Sequence, residues 1–296
     1  MTRHQRSRAR ATVVTLATLA LCVLAAAPAT AQWPDDPEVN LPLSLAPGHK
    51  SDAYAISDGV GGAIVAWEDE RDGDRDIYVQ RVSATGEVLW QADGVPVCTA
   101  VGDQSLDNSS TGTTGIRPLI ADGQGGAWIV WQDGRAFGAR LRDIFAQRVD
   151  AQGDVLLTSG GVPVATGAGM EDGPSACTDA AGGIIIAWQD KNNDPVFFDI
   201  YAQRLAPDGT PLWNGGQPLP VCTVDWDQDG PTLAPDGQGG AFLAWSDGRD
   251  DVGDIYAQRL TADGTALWTP GGMAVAVGAG GQDATVAVAA GDGVVL

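Results

Sequence analysis

The chain reads as all-β, a β-propeller of four-stranded antiparallel blades, and three observations lead to that reading. One unit of sequence recurs four times, marked by Trp67, Trp131, Trp188 and Trp245 at spacings of 64, 57 and 57 residues. Each unit is a series of short apolar runs bounded by Gly and Asp turns, the pattern of strands joined by tight reversals. Forty glycines and seventeen prolines without a collagen-like period supply those turns. A repeat of this length holding four strands suits a propeller blade. A solenoid coil would be shorter, and a sandwich domain would need more strands than one unit provides.

The first 31 residues stand apart. Arg3, Arg6, Arg8 and Arg10 precede an apolar stretch from Ala11 to Ala27, and Ala29-Thr30-Ala31 offers a small-x-small cleavage site. This is the pattern of a secretory signal peptide, so residues 1–31 are expected to be removed and the protein secreted, to the cell surface, the medium or the periplasm. The apolar run is short for a spanning anchor, and Leu21 before Cys22 disfavours a lipoprotein. Loss of the four arginines moves the formal charge from −21 to about −25. Such a chain repels nucleic acid and anionic membrane surfaces, so neither is an expected partner, nor is membrane insertion after cleavage.

Asn40 to Leu45 resembles Gly94 to Cys98, the closing segment of a unit, and precedes the first strand of repeat one. The expectation is a ring closed by an N-terminal outer strand, which hides edge strands from aggregation. Four repeats follow, at about 52–98, 117–165, 174–223 and 231–278, with the start of a fifth at 283–296. A fifth unit that stops before its Trp suggests a fragment of a longer chain.

The fourth unit shows the grammar. Pro231 to Asp236 is the expected first strand, closed by an Asp-Gly turn and a Gly pair. Ala241 to Trp245 is an apolar run of strand length, expected where both sheet faces are covered. Ile255 to Leu260 is the third strand, and Asp263-Gly264 reverses the chain into a fourth beginning at Thr265. Met273 to Val277 either extends that strand through a bulge or forms its own segment. The D-I-aromatic step recurs at Asp76, Asp143, Asp199 and Asp254, followed by Gln and then Arg81, Arg148, Arg204 and Arg259.

Taken together, the DGxGGA…WxDxR…DIYAQR pattern resembles tandem repeats of secreted bacterial β-propeller-like proteins over residues 40–296. The resemblance implies export and a propeller fold, and it implies no reaction. Cys98, Cys177 and Cys222 are expected to be buried free thiols, since Cys98 and Cys222 fill the same slot in units that are not neighbours.

Alternating strand direction sorts the loops onto two faces. The DGxGG turns share one face. The long, variable loops share the other, where binding is expected. Phe137, Phe197, Phe198 and Trp226 are the candidate ligand contacts there, for a glycan or a protein. The same face gathers acids and bases, read as a structural network that fixes each loop. Its members are Asp69, Arg71 and Asp76; Asp133, Arg135 and Asp143; Asp190 and Asp199, with Lys191 in place of Arg; and Asp247, Arg249 and Asp254. Asp52, Asp172 and Asp229 are aligned with it at the first strand.

No cofactor is expected, with calcium as the one rival. Asp225, Asp227 and Asp229 have D-x-D-x-D-G spacing, with Asp236 at the twelfth position. His49 has no Ser or Cys partner at a recognisable motif. The expected function is therefore a non-catalytic binding scaffold. The alternative is a glycan hydrolase or lyase, favoured if the variable face holds a pocket with carboxylates that break the repeat.

Overall fold

In the computed structural model the described residues are 40–106, 117–135, 142–191, 196–250, 253–282, 287–290 and 293–295. Blade 1 comprises β1 (Lys50–Ser57), β2 (Ala63–Asp69), β3 (Asp76–Val82) and β4 (Val95–Cys98). Blade 2 comprises β5 (Gln104–Ser105), β6 (Leu119–Ala121), β7 (Ala127–Asp133), β8 (Asp143–Val149) and β9 (Val162–Ala165). Blade 3 holds β10 (Glu171–Thr178), β11 (Ile184–Asp190), β12 (Asp199–Leu205) and β13 (Leu219–Cys222). Blade 4 holds β14 (Gln228–Pro235), β15 (Ala241–Asp247), β16 (Asp254–Leu260) and β17 (Met273–Ala276). A fifth sheet pairs β18 (Val288–Ala290) with β19 (Gly293–Val295).

Each sheet is an antiparallel meander in chain order, the architecture of propeller blades. Among the described residues the only helical element is a single 3₁₀ turn, Asn214–Gly216, and no helix is long and apolar enough to cross a membrane.

The central strands are buried on both faces because neighbouring blades cover both. Every residue of β7 and of β11 is buried, which explains their unbroken apolar sequence. Three apolar clusters lie between successive blades and are built around Trp131, Trp188 and Trp245. Stacking pairs Trp67 with Tyr78, Trp131 with Phe145 and Trp188 with Tyr201 across adjacent strands, ring centroids 6.2–6.4 Å apart.

The structure corrects four details of the sequence reading. The fourth strand is Met273–Ala276; Thr265–Trp268 makes only an isolated bridge, Leu260 to Ala266. First strands start earlier than expected, at Lys50, Glu171 and Gln228. In blade 2 the Ser/Thr-rich insertion interrupts the first strand rather than preceding it, since Gln104 and Ser105 already pair with Asp133 and Gln132. Asn40 to Leu45 is not a strand, although it lies at the expected edge. Asp93 Oδ1 accepts from the Leu45 and Ala46 amides at 2.6 and 3.1 Å.

A register detail follows from bulges in the first strands. Asp172 and Asp229 sit opposite Gln189 and Ser246, the place held by Ser51 in blade 1. Asp52 falls one residue further, at φ 47°, where Gly173 and Gly230 have φ 62° and 60°. Asp52 is therefore not the counterpart of Asp172 and Asp229.

The Gly pair before the last strand of blades 2 and 4 has a packing reason. A Cβ on Gly161 would lie 2.3 Å from the Trp131 ring, and one on Gly272 2.5 Å from the Trp245 ring. Both residues also have positive φ, at 87° and 93°. Gly161→Ala is expected to cost about 2–5 kcal/mol through strain and overpacking. Chemical denaturation should show a lowered midpoint, and an unchanged midpoint would mean that the Trp131 contact is dispensable.

Candidate functional site

The variable face is built on a latch repeated in blades 1, 2 and 4. The last residue of the second strand is an Asp that accepts the indole N–H two residues earlier: Trp67 to Asp69, Trp131 to Asp133 and Trp245 to Asp247, at 2.8–2.9 Å. Two residues on, an Arg returns to the same carboxylate, with Nη2 at 2.6, 2.6 and 2.5 Å for Arg71, Arg135 and Arg249. Each guanidinium lies over an aromatic ring of the third strand, 3.7–4.0 Å from the centroids of Tyr78, Phe145 and Tyr256. Nη2 also reaches the preceding segment. It meets Cys98 Sγ and Gly160 O in blade 2, Cys222 Sγ and Gly271 O in blade 4, and Ser44 Oγ and Asp93 O in blade 1.

The second acid of each predicted set has a different environment. Asp76, Asp143, Asp199 and Asp254 stand directly opposite Asp69, Asp133, Asp190 and Asp247 in the strand register. Burial and the charges of Asp72, Asp74 and Asp69 push the Asp76 carboxyl up to about 6. Burial likewise raises Asp143, while a hydrogen bond with Glu171 of the next blade works against the rise. Asp69 goes the other way. Burial opposes ionisation, but hydrogen bonds from Arg71 and Trp67 bring it down to about 2. Cys98, Cys177 and Cys222 are buried and free, and burial raises Cys98 and Cys222 to about 11.

Residues between the Trp and the Asp of the latch tie one blade to the next. Glu68 Oε1 accepts from Ser105 Oγ and the Leu106 amide at 2.9 and 2.7 Å. Gln189 Oε1 accepts from the Gly230 amide at 2.9 Å. Glu68 is buried; burial raises its carboxyl, and the charge of Asp52 adds to the rise. In blade 4 this position is Ser246, too short to bridge, and a cleft of about 490 Å³ opens there.

That cleft brings together much of what the sequence singled out. It is lined by Trp226, Asp227, Asp229, Ser246, Arg249 and Asp250, among others. Trp226 is 57% exposed and sits at φ 77°, an unusual conformation for an aromatic residue. The Phe197 ring, from the loop between β11 and β12, packs against it at 5.3 Å between centroids. Asp227 Oδ1 accepts the Phe198 amide at 2.9 Å, which pins that loop to the connector before β14. Tyr256 donates its phenol to Asp250 Oδ2 at 2.7 Å. Phe198 serves another purpose, lying under the Lys191 ammonium at 4.1 Å. Phe137 falls outside the described residues.

The calcium spacing does not gather into one site. Asp225 is exposed, Asp227 holds the Phe198 amide, and Asp236 is ion-paired with Arg259 at 3.0 Å at the far end of β14. Among the described residues no group of three or more His, Cys, Asp or Glu side chains is placed to hold a metal ion.

Sequence reasoning overlooked the network on the opposite face. Arg81, Arg148, Arg204 and Arg259 each pair with the Asp of a DG-type turn, Asp58, Asp122, Asp179 and Asp236, at 2.9–3.0 Å. The signal was present, since both partners recur in all four units. It was missed because they lie 23–26 residues apart and meet only through the strand register.

No family profile and no curated protein matches the chain. Solved structures similar to it include an α-L-arabinanase of Penicillium chrysogenum complexed with arabinobiose. That comparison has 12% identity and a TM-score of 0.47, and covers 84% of this chain and 74% of the other. A GH93 α-L-arabinofuranosidase of Fusarium graminearum, also with arabinobiose, has 12% identity and a TM-score of 0.42, with 79% and 73% covered. Polysaccharide lyase Uly1 has 11% identity and a TM-score of 0.42, with 79% and 51% covered. At these identities the likeness is one of fold. The expectation of a non-catalytic scaffold is nonetheless corrected, because the neighbours named are enzymes acting on glycans; that reading is set aside.

The opposed shifts give a pH prediction. Asp76 binds its proton more tightly folded, near 6, than at the ordinary 3.8, so its contribution to stability falls as pH rises from about 4 to 6. Asp69, held near 2, contributes above about 4 and loses that contribution as pH falls through 2. Asp76→Asn is expected to raise the melting temperature above pH 6 and to leave it little changed near pH 4. A uniform shift at both pH values would show that the Asp76 charge is not the cause.

Proposed function

We propose that this protein is a glycan-active propeller that hydrolyses a glycosidic bond in the blade 4 cleft. The observation that carries the reading is the cleft itself. An exposed Trp226 backed by Phe197 faces carboxylates Asp229 and Asp250 where Ser246 leaves room for a ligand. Sugar rings present apolar C–H faces that stack on indole, while their hydroxyls bond to carboxylates. Hydrolysis needs one carboxyl group to protonate the leaving oxygen and a second to act as base or nucleophile. Asp229 and Asp250 are assigned those two roles as a pair. Asp227 and Arg249 hold the walls.

Charge selects the kind of glycan. Three aspartates line the cleft against the single Arg249, and the whole chain carries −21. A polyuronate would meet that field unfavourably, so a neutral glycan is the substrate class and hydrolysis is preferred over lyase chemistry.

The test is reducing-end release from neutral polysaccharides, arabinans and arabino-oligosaccharides among them, by the purified protein. Asp229→Asn and Asp250→Asn are each expected to lower kcat by roughly 10²–10⁴. Trp226→Ala should raise KM and largely spare kcat. Absence of cleavage across the panel, or full activity in both Asn variants, would overturn the assignment.

A further inference from the structure

One junction between blades carries a carboxyl group where the others carry an amide. The chain enters each later blade in the same way, a backbone amide donating to the carbonyl just before the third strand of the preceding blade. The pairs are Gln104 to Arg75 O, Glu171 to Arg142 O, Gln228 to Phe198 O and Gln282 to Gly253 O. Each entering residue is thereby held at the strand that starts with Asp76, Asp143, Asp199 or Asp254. Gln fills this place three times. Its Nε2 donates to the carbonyl two residues earlier, Gly102 O at 2.6 Å, Trp226 O at 2.7 Å and Gly280 O. Between blades 2 and 3 the residue is Glu171.

The exchange of amide for carboxyl changes what the junction needs. An amide donates at any pH, whereas a carboxyl group donates only while it holds its proton. Glu171 and Asp143 are both buried, and their side chains are hydrogen-bonded to each other. A hydrogen bond between two carboxyl groups requires one proton between them, because two carboxylates have nothing to donate. Ionised together, they would be like charges in contact in a dry interface. The acids around them deepen that cost. Asp133 stands opposite Asp143 in the strand register, Asp190 opposite Glu171 and Asp199 opposite Asp190, and Asp172 follows Glu171 on β10. The nearby cations are engaged elsewhere: Arg135 on Asp133, Arg142 on Gln132 Oε1 and Lys191 on Val196 O. Arg135 opposes the rise of the Asp143 carboxyl, but burial and the Asp133 charge outweigh it.

We propose that Asp143 and Glu171 form a one-proton clasp between blades 2 and 3, closed in acidic surroundings and released as the shared proton passes to water. A cavity of about 570 Å³ borders Glu171 and admits that water. In the unfolded chain the carboxyls ionise at their ordinary values, 3.8 for an Asp, while the folded pair keeps its proton to higher pH. The clasp therefore contributes in full below the ordinary value and fades as pH rises through the raised one. Once the proton is lost, repulsion loosens the variable-face end of this junction and not of the three that carry Gln. The clasp does not depend on the glycan assignment.

The experiment compares the purified full chain with Glu171→Gln and Asp143→Asn near pH 4 and near pH 8. Either amide restores a donor that needs no proton. Each variant is expected to melt higher than the parent near pH 8, by roughly 2–4 °C, and at about the same temperature near pH 4. The double variant is expected to gain no more than either single change, because one proton serves both side chains. Amide hydrogen exchange supplies a readout confined to the junction. After correction for the intrinsic rate, the Glu171 amide should exchange about tenfold faster near pH 8 than near pH 4 in the parent, and at one rate in Glu171→Gln. Equal melting shifts at both pH values, a lower melting temperature near pH 8, additive gains in the double variant, or the same pH dependence of exchange in parent and Glu171→Gln would each overturn the proposal.

Discussion

The arginine latch is the interaction on which the variable face depends. One guanidinium satisfies a fully buried carboxylate, covers an aromatic ring of the next strand and touches the segment before it, so three stretches of chain are fixed at one point. The Asp is buried at both ends of its network, by the indole below and the guanidinium above. Removing one partner from such a pair costs about 3–5 kcal/mol, because it strands a charge in a dry interface. That penalty explains why residue identities in the latch are so uniform among three blades. Blade 3 carries Lys191 in place of the Arg, and its ammonium donates to Val196 O instead.

The opposite face is held by a second set of pairs, and the contrast between the two faces has consequences for function. Arg81 and Arg204 reach the next blade's backbone, at Ala151 O and Ala262 O, and Trp90 and Trp213 donate to the same carbonyls. These contacts are short, repeated and tied to turns that offer little room for variation. On the variable face the latch fixes only the root of each loop, and the loop beyond it is free to differ in length and composition. A rigid root under a variable tip is the arrangement in which a scaffold can acquire a site without losing its fold.

The blade architecture was legible because its cause is local. Alternating runs, Asp-Gly turns and a fixed Trp spacing each specify a strand or a reversal by themselves, and four copies reinforce one another. The Asp and Arg of the latch were legible for the same reason, lying two residues apart. What escaped depended on register. Blades 1, 3 and 4 carry the same bulge, and within it Ser51, not Asp52, holds the place of Asp172 and Asp229. The pairing of Asp58 with Arg81 crosses two strands. The DxDxDG stretch has the spacing of a calcium loop, whereas Gln228 to Gly230 belong to β14 and carry their side chains on strand geometry. The cleft itself came from a small residue, Ser246, whose effect lies in what it fails to fill.

Departures from the repeat therefore carry more functional information than the repeat does. Each sister position shows what the scaffold needs, so a blade that lacks that residue must either repair the loss or leave a space. Blade 1 repairs: Asp93 takes a glycine position at φ 64° and uses its carboxylate to hold the Leu45 and Ala46 amides, while Ser44 meets Arg71 as Cys98 meets Arg135. Blade 4 leaves a space above Ser246, and that space is lined by carboxylates. Chance loss would be expected to produce filled or collapsed junctions, since a packed interface closes over a missing side chain where it can. The open, acidic cleft at the position where blade 3 carries a bridging Gln is accounted for by the hydroxyl-bearing ligand proposed for it.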